Sequence, residues 1–99
     1  MFELVFAARA RKDLDALERL PRDEGLVRQI KKSLAYLQRN PKHPSLHTHA
    51  YSSIENPYHP KEKVFEAYAQ NRTPSAYRIF WCYGPAKTQL TIIAITPHP

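Results

Sequence analysis

One cysteine, Cys82, and two glycines are all that this chain of 99 residues contains of either type. A lone cysteine excludes an intramolecular disulfide and gives no sign of an oxidising compartment. With so little glycine and nine prolines, the turns must rely on proline. No apolar run reaches the roughly 18 residues of a membrane-spanning helix. The opening MFELVFAARARKDL becomes charged after too short an apolar run for a signal peptide, so the cytoplasm is the expected location and no membrane partner is expected. Internal repeats and low-complexity tracts are absent. Acidic residues are the minority, nine Asp and Glu against 15 Lys and Arg, for a formal charge of +6. That excess favours a polyanion or an acidic protein as partner; the plainer account is a basic surface kept soluble by its own repulsion.

What is present suffices for one core. With 42% apolar side chains, residues 1–99 are expected to form a single small domain. FELVF alternates, with Phe2, Leu4 and Phe6 opposite Glu3 and Val5, which predicts a short strand within residues 2–7. From Arg9 to Leu20 the positions of Ala10, Leu14, Leu17 and Leu20 have helical spacing, ended by Pro21. A second helix follows from a candidate N-cap at Asp23, with a seam of Val27, Ile30, Leu34 and Leu37, and Pro41 ends it by pushing Asn40 out of helical space. Arg28, Lys31, Lys32 and Arg39 lie off that seam, on a face that is either solvated or turned to phosphates. Residues 41–63 read as a long ordered loop, with room for a short strand near 48–52. Three strands close the chain, at 64–70, 77–84 and 90–96, joined by turns short enough for hairpins. The order implies an α+β fold: an N-terminal strand, a two-helix hairpin and a three-stranded antiparallel meander, in one sheet with both helices on one face. The first strand is expected to pair inside the meander.

Period two sorts the strand residues into faces. Tyr77, Ile79, Trp81 and Tyr83 share one, and Arg78, Phe80 and Cys82 the other; Val64, Glu66 and Tyr68 oppose Phe65, Ala67 and Ala69. Glu66 and Arg78 are thus charged groups set in largely apolar strands. They could simply pair, or both could point into a cleft where the guanidinium binds a phosphate and the carboxylate acts as base. Cys82 reads as core rather than nucleophile. The five histidines include His43, His47 and His49, three within seven positions. His47 and His49 form a His-x-His pair of the kind zinc sites use, but no spacing supplies a compelling third ligand. His43 and His59 read as surface residues. His98 stands just beyond the last strand, where an imidazole could transfer protons at neutral pH. Two such groups and a cation would suit RNA cleavage, one taking the 2′-hydroxyl proton, one protonating the 5′ oxygen, the cation stabilising the phosphorane-like transition state.

The succession of strand, helical hairpin, NPKHPSLHTH, YRIFWCYG and a final strand ending in ITPHP resembles the RelE/ParE superfamily of type II toxin-antitoxin toxins, over nearly the whole chain. Its nearest likeness is to the histidine-containing branch with YoeB-like and YafQ-like toxins. The resemblance implies a small basic ribonuclease that cuts mRNA in the ribosomal A site, or, in ParE-like members, a protein acting on DNA gyrase. It implies that Arg78 steadies the scissile phosphate, that His98 is the general acid, and that His49 belongs to the active site. Glu66 falls roughly where other members carry a basic or histidine side chain. Two departures stand out: the strand VFEAYAQ lacks the lysines on which RelE relies, and the tail that carries a further tyrosine in RelE has no counterpart up to Pro99. Arg72 and Lys63 are candidates for the missing charge.

The expectation is therefore a metal-independent endoribonuclease toxin with no cofactor, neutralised by a cognate antitoxin, with mRNA and the ribosome as its other partners. Its catalytic set would be His49, Glu66, Arg78 and His98, with His49 or Glu66 as the base, and Lys31, Lys32, Arg39 and Arg72 would hold RNA phosphates. The rivals are a non-catalytic binding module of the same fold, including a gyrase inhibitor, and a zinc site on His47 and His49.

Overall fold

The computed structural model describes residues 1–19, 24–70 and 75–98. Along the chain run β1 (Glu3–Phe6), α1 (Ala8–Glu18), α2 (Glu24–Arg39), a 3-10 turn (Pro44–Leu46), β2 (His49–Ala50), β3 (Phe65–Tyr68), β4 (Tyr77–Tyr83) and β5 (Gln89–Pro97). They form one five-stranded sheet in the order β1-β5-β4-β3-β2. The α+β class and the meander are as the sequence implies. The short strand allowed for near 48–52 is present as a fifth strand, β2, antiparallel to β3. One detail differs: β1 does not enter the meander but lies at the sheet's edge, parallel to β5, with Leu4 opposite Leu90 and Phe6 opposite Ile92. The proposed helix stop at Pro21 and cap at Asp23, and the candidate Arg72, lie outside the described residues.

Helical spacing turns Ala10, Leu14 and Leu17 of α1 and Ile30, Leu34 and Leu37 of α2 onto one sheet face, where they meet Ala67, Ile79, Trp81, Leu90, Ile92 and Ile95. A strict period of two would set Ile95 opposite Ile92. In β5, however, Ala94 pairs with Phe80 and Ile92 with Trp81, so Ile93 is an extra residue that bulges out and returns Ile95 to the core side. The Ile95 N–H also donates to Asp13 Oδ2 of α1 at 2.9 Å, tying helix to strand just past the bulge. Truncating a core side chain such as Leu37, fully buried, would cost about 2–5 kcal/mol.

The opposite face carries no helix, and the long loop covers part of it. Buried Asn56 holds this loop in shape: its Oδ1 accepts the N–H groups of Tyr58 (2.9 Å) and His59 (3.1 Å), and its Nδ2 donates to the Lys63 carbonyl. Thr91 donates its hydroxyl to the Gly84 carbonyl, so the Tyr58 hydroxyl is the donor in its 2.8 Å bond to Thr91 Oγ1. Gly84 has φ +111°, a left-handed conformation open to glycine. Tyr51 packs on Phe80. This cover does not extend over Glu66, Tyr68, Arg78 and His98, and the candidate site lies there.

Candidate active site

Strand register assembles the site. Glu66 pairs with His49 of β2 on one side and Phe80 of β4 on the other, while Arg78 pairs with Tyr68 of β3 and Thr96 of β5. Residues two apart share a face, so Glu66 and Tyr68, Arg78, and Thr96 with His98 beyond it all point to the helix-free side. His98 is fixed by its backbone N–H, which donates to the Ala76 carbonyl at 2.8 Å. The four side chains proposed as catalytic, His49, Glu66, Arg78 and His98, therefore meet in one place.

Glu66 is the hub. Its carboxylate is 2% exposed, yet both oxygens are used: Oε1 lies 2.6 Å from His49 Nε2 and Oε2 lies 3.0 Å from His98 Nδ1. Arg78 Nε sits 4.0 Å from Oε2, a charge contact without a hydrogen bond. Of the two readings of the Glu66–Arg78 pair, the charges do neighbour each other, with both side chains buried and the two histidines beside them about half exposed. Arg78 is held from other directions. Its Nη1 donates to the Gln70 carbonyl (2.7 Å) and the Tyr77 carbonyl (3.2 Å), and its guanidinium carbon stands 3.7 Å from the centroid of the Tyr68 ring. Among the described residues its buried Nε has no hydrogen-bond partner.

Hydrogen-bond geometry sets where protons can sit. The Nδ1 of His49 faces the His47 carbonyl at 3.0 Å, which can only accept, so Nδ1 carries a proton. Its Nε2 lies 2.6 Å from Glu66 Oε1, an ion-pair contact. Both nitrogens of His49 therefore have a close neighbour. His98 differs: with Nδ1–H given to Glu66, its Nε2 has no hydrogen-bond partner among the described residues, on a side chain that is 49% exposed. This is the arrangement in which a carboxylate orients an imidazole for proton transfer.

The remaining histidines have other work. His43 is not an idle surface residue: its Nδ1 accepts the Ser45 N–H at 3.1 Å, and its ring stacks on Tyr36 at 4.1 Å. His47 takes a left-handed φ of 46° as the chain leaves the 3-10 turn, and its ring packs against Tyr68. His59 is exposed. Among the described residues no group of three or more His, Cys, Asp and Glu side chains is arranged to hold a metal ion, so His47 and His49 have no third ligand there. Cys82 is fully buried, and burial, with Glu62 adding to it, pushes its thiol up to about 11.

Of the described basic residues proposed to hold RNA, Lys32 lines a cavity that Tyr68 also borders. Lys31 is paired with Glu18 of α1 at 3.4 Å, and Arg39 is exposed at the last turn of α2. Sequence reasoning passed over Tyr68 and Gln70, which hold Arg78 in place. The signal for Tyr68 was its position two residues after Glu66 on the same face; the Gln70 contact runs through a carbonyl and leaves no side-chain signature.

No protein-family model matches the sequence, and no curated protein does. Solved structures do match, and the chain shares the fold of toxins whose structures are described as YoeB, ParE and RelE. The YoeB/ParE toxin from Agrobacterium tumefaciens superposes with a TM-score of 0.72 at 13% identity, over 99% of this chain and 100% of that one. The YoeB dimer from Staphylococcus aureus gives 0.71 at 13% identity, over 99% and 98%. A chain of the intact E. coli RelBE toxin-antitoxin complex gives 0.62 at 16% identity, over 100% and 99%. At such identities the likeness establishes the fold, and the chemistry rests on this chain's own residues. Among the described residues no helix is long and apolar enough to cross a membrane.

Proposed function

We propose that this protein is the toxin of a type II toxin-antitoxin pair: a cytoplasmic endoribonuclease that cleaves ribosome-bound mRNA by acid-base catalysis with side chains alone. The observation that carries the reading is the buried Glu66 carboxylate, which fixes two imidazoles beside Arg78 and leaves His98 Nε2 without a hydrogen-bond partner among the described residues. A carboxylate sequestered from solvent yet in contact with two half-exposed histidines has little purpose in a surface made only for binding.

In the reaction, the 2′ oxygen bonds to phosphorus and the bond from phosphorus to the 5′ oxygen breaks. His98, as an imidazolium with Nδ1–H on Glu66, gives its Nε2 proton to the departing 5′ oxygen and is left neutral. His49 acts in the neutral tautomer whose one proton is on Nε2, toward Glu66; its Nδ1, unprotonated and turned from the His47 carbonyl, takes the 2′-hydroxyl proton. That turn breaks one exposed hydrogen bond, worth about 1 kcal/mol. Arg78 stabilises the added charge on the non-bridging oxygens. The products are a 2′,3′-cyclic phosphate and a 5′-hydroxyl, with every proton accounted for and no metal or cofactor required. Glu66 is thus the residue that positions both histidines. Lys31, Lys32, Arg39 and Arg72 would contribute phosphate contacts without reading sequence, and Lys31 would first have to leave Glu18.

The antitoxin partner is proposed from the fold and charge together: one structural neighbour is a chain of a toxin-antitoxin complex, and the +6 charge suits an acidic partner. Purified protein incubated with programmed ribosomes should yield fragments ending in a 2′,3′-cyclic phosphate and beginning with a 5′-hydroxyl. Growth arrest with intact RNA would instead favour the gyrase-directed alternative, and neither effect would leave a binding module.

A further inference from the structure

Because β2 begins only at His49, opposite Glu66, the last residue of β3, Tyr68, has no strand partner on that side among the described residues, and α2 reaches it there. Ser33 Oγ of α2 donates to the Tyr68 carbonyl at 3.1 Å and ties the helix to β3. Beside this tie lies an open cavity of about 240 Å³ that none of the steps above uses. We infer that this cavity is a subsite for one RNA nucleotide next to the scissile phosphate, its base lodged between aromatic and amide groups and its phosphate met by Lys32; this rests on the ribonuclease reading.

Three observations support it. The first is lining chemistry: Tyr36 offers aromatic surface, Gln29 and Gln70 side-chain amides, Ser45 a hydroxyl and Lys32 a cation, and among the described residues no carboxylate lines the cavity. An aromatic ring with hydrogen-bonding neighbours and a positive charge suits a nucleotide and disfavours a cation. Gln70 Oε1 already accepts the Tyr77 N–H at 3.1 Å, so its NH2 is the end left to bind.

The second is the state of Lys32. While Lys31 is neutralised by Glu18, Lys32 stands 5.8 Å from the centroid of the Tyr36 ring and has no ion-pair partner among the described residues. Tyr36 is itself steadied by the His43 ring stacked at 4.1 Å, which makes it a rigid platform. The third is continuity with the reacting centre. Tyr68 borders the cavity and carries the Arg78 guanidinium, and the Gln70 carbonyl receives Arg78 Nη1. The cavity and the proposed phosphate site thus share Tyr68 and Gln70.

The probes are adenosine 5′-monophosphate, uridine 5′-monophosphate and inorganic phosphate, titrated into the full ¹⁵N-labelled chain. Both nucleotides should shift the amide signals of Lys32, Tyr36, Ser45 and Gln70. Inorganic phosphate should bind about tenfold more weakly, for want of a base to stack. Lys32→Gln, at an exposed position, should raise the nucleotide Kd about fivefold, and Tyr36→Ala about tenfold. Absence of shifts at millimolar nucleotide, equal affinity for inorganic phosphate, or shifts centred on Tyr51 and Ile54 would each overturn the inference. If nucleotides bind in the cavity but the protein cuts no RNA, the subsite stands and the ribonuclease reading falls. If RNA is cut and Lys32→Gln changes neither KM nor nucleotide binding, the reading stands and the subsite falls.

Discussion

Glu66 and His98, thirty-two positions apart in sequence, meet through a 3.0 Å hydrogen bond between Oε2 and Nδ1. The bond spans β3 and the residue just beyond β5, two strands that never pair directly, with β4 between them. It turns the imidazole so that Nε2 is the nitrogen left open, and it does so from a carboxylate hidden from water. The histidine's chemistry is therefore a property of the sheet.

Replacing Glu66 by Gln should weaken both the fold and the activity. The amide cannot accept from both histidines, and the Arg78 guanidinium, only 10% exposed, loses its neighbouring negative charge. A loss on the order of 2 kcal/mol is expected, read from urea unfolding, with cleavage falling about a hundredfold or more. A variant as stable and as active as the parent would remove Glu66 from its central place.

Arg78→Lys keeps the charge and discards the geometry. An ammonium cannot reproduce the two Nη1 bonds to the Gln70 and Tyr77 carbonyls or the planar stack on Tyr68. Cleavage should drop about a hundredfold or more, with a stability loss of about 1–2 kcal/mol. Single-turnover kinetics would distinguish this outcome from a loss of binding, which would raise KM and spare kcat.

The Cys82 thiol should be inert and should make stability depend on alkaline pH. Its pKa rises from 9.0 to about 11 in the folded chain, through burial first and Glu62 second. Below the unfolded value the thiol is protonated in both states and its contribution is intact. As pH rises from 9 towards 11, the unfolded thiol ionises first, and stability falls, by about 1.4 kcal/mol at pH 10. Urea unfolding at pH 8 and pH 10 should therefore show a smaller decline for Cys82→Ala than for the parent chain. At neutral pH an alkylating reagent should leave the folded thiol unmodified.

Asp13→Ala should destabilise the fold without touching the site. The change removes the acceptor for the Ile95 N–H just past the bulge in β5, and a hydrogen bond to a charged group is worth about 1.5–3 kcal/mol. Thermal unfolding should register the loss, while cleavage at a temperature where both proteins are folded should be unchanged.

Much of this architecture can be read from periodicity. The spacing of Leu14, Leu17, Ile30, Leu34 and Leu37 marks the helix faces, and alternation in the Tyr77–Tyr83 strand separates Arg78 from Ile79 and Trp81. Glu66 and Arg78 stand out as charges among apolar neighbours. Pairing and register are harder, because they depend on contacts distant in sequence. Nothing local to β1 says that it joins β5 in parallel at the edge, and nothing in QLTIIAIT marks Ile93 as the bulged residue. His49 reaches Glu66 only through a strand of two residues, whose register follows from the Leu46 anchor and the left-handed His47 before it. Whether Glu66 simply pairs with Arg78 or both point into a cleft is undecided in sequence, since it turns on distances that only the folded sheet fixes, and the contact of Glu66 with two histidines has no sequence signal.

The most direct test is His98→Ala in the ribosome-programmed mRNA cleavage assay, with the fold of the variant checked by circular dichroism. With His98 as the proton donor to the 5′ oxygen, the folded variant should cleave at least about a hundredfold more slowly. Cleavage by the folded variant at the parent's rate would contradict the mechanism at its centre.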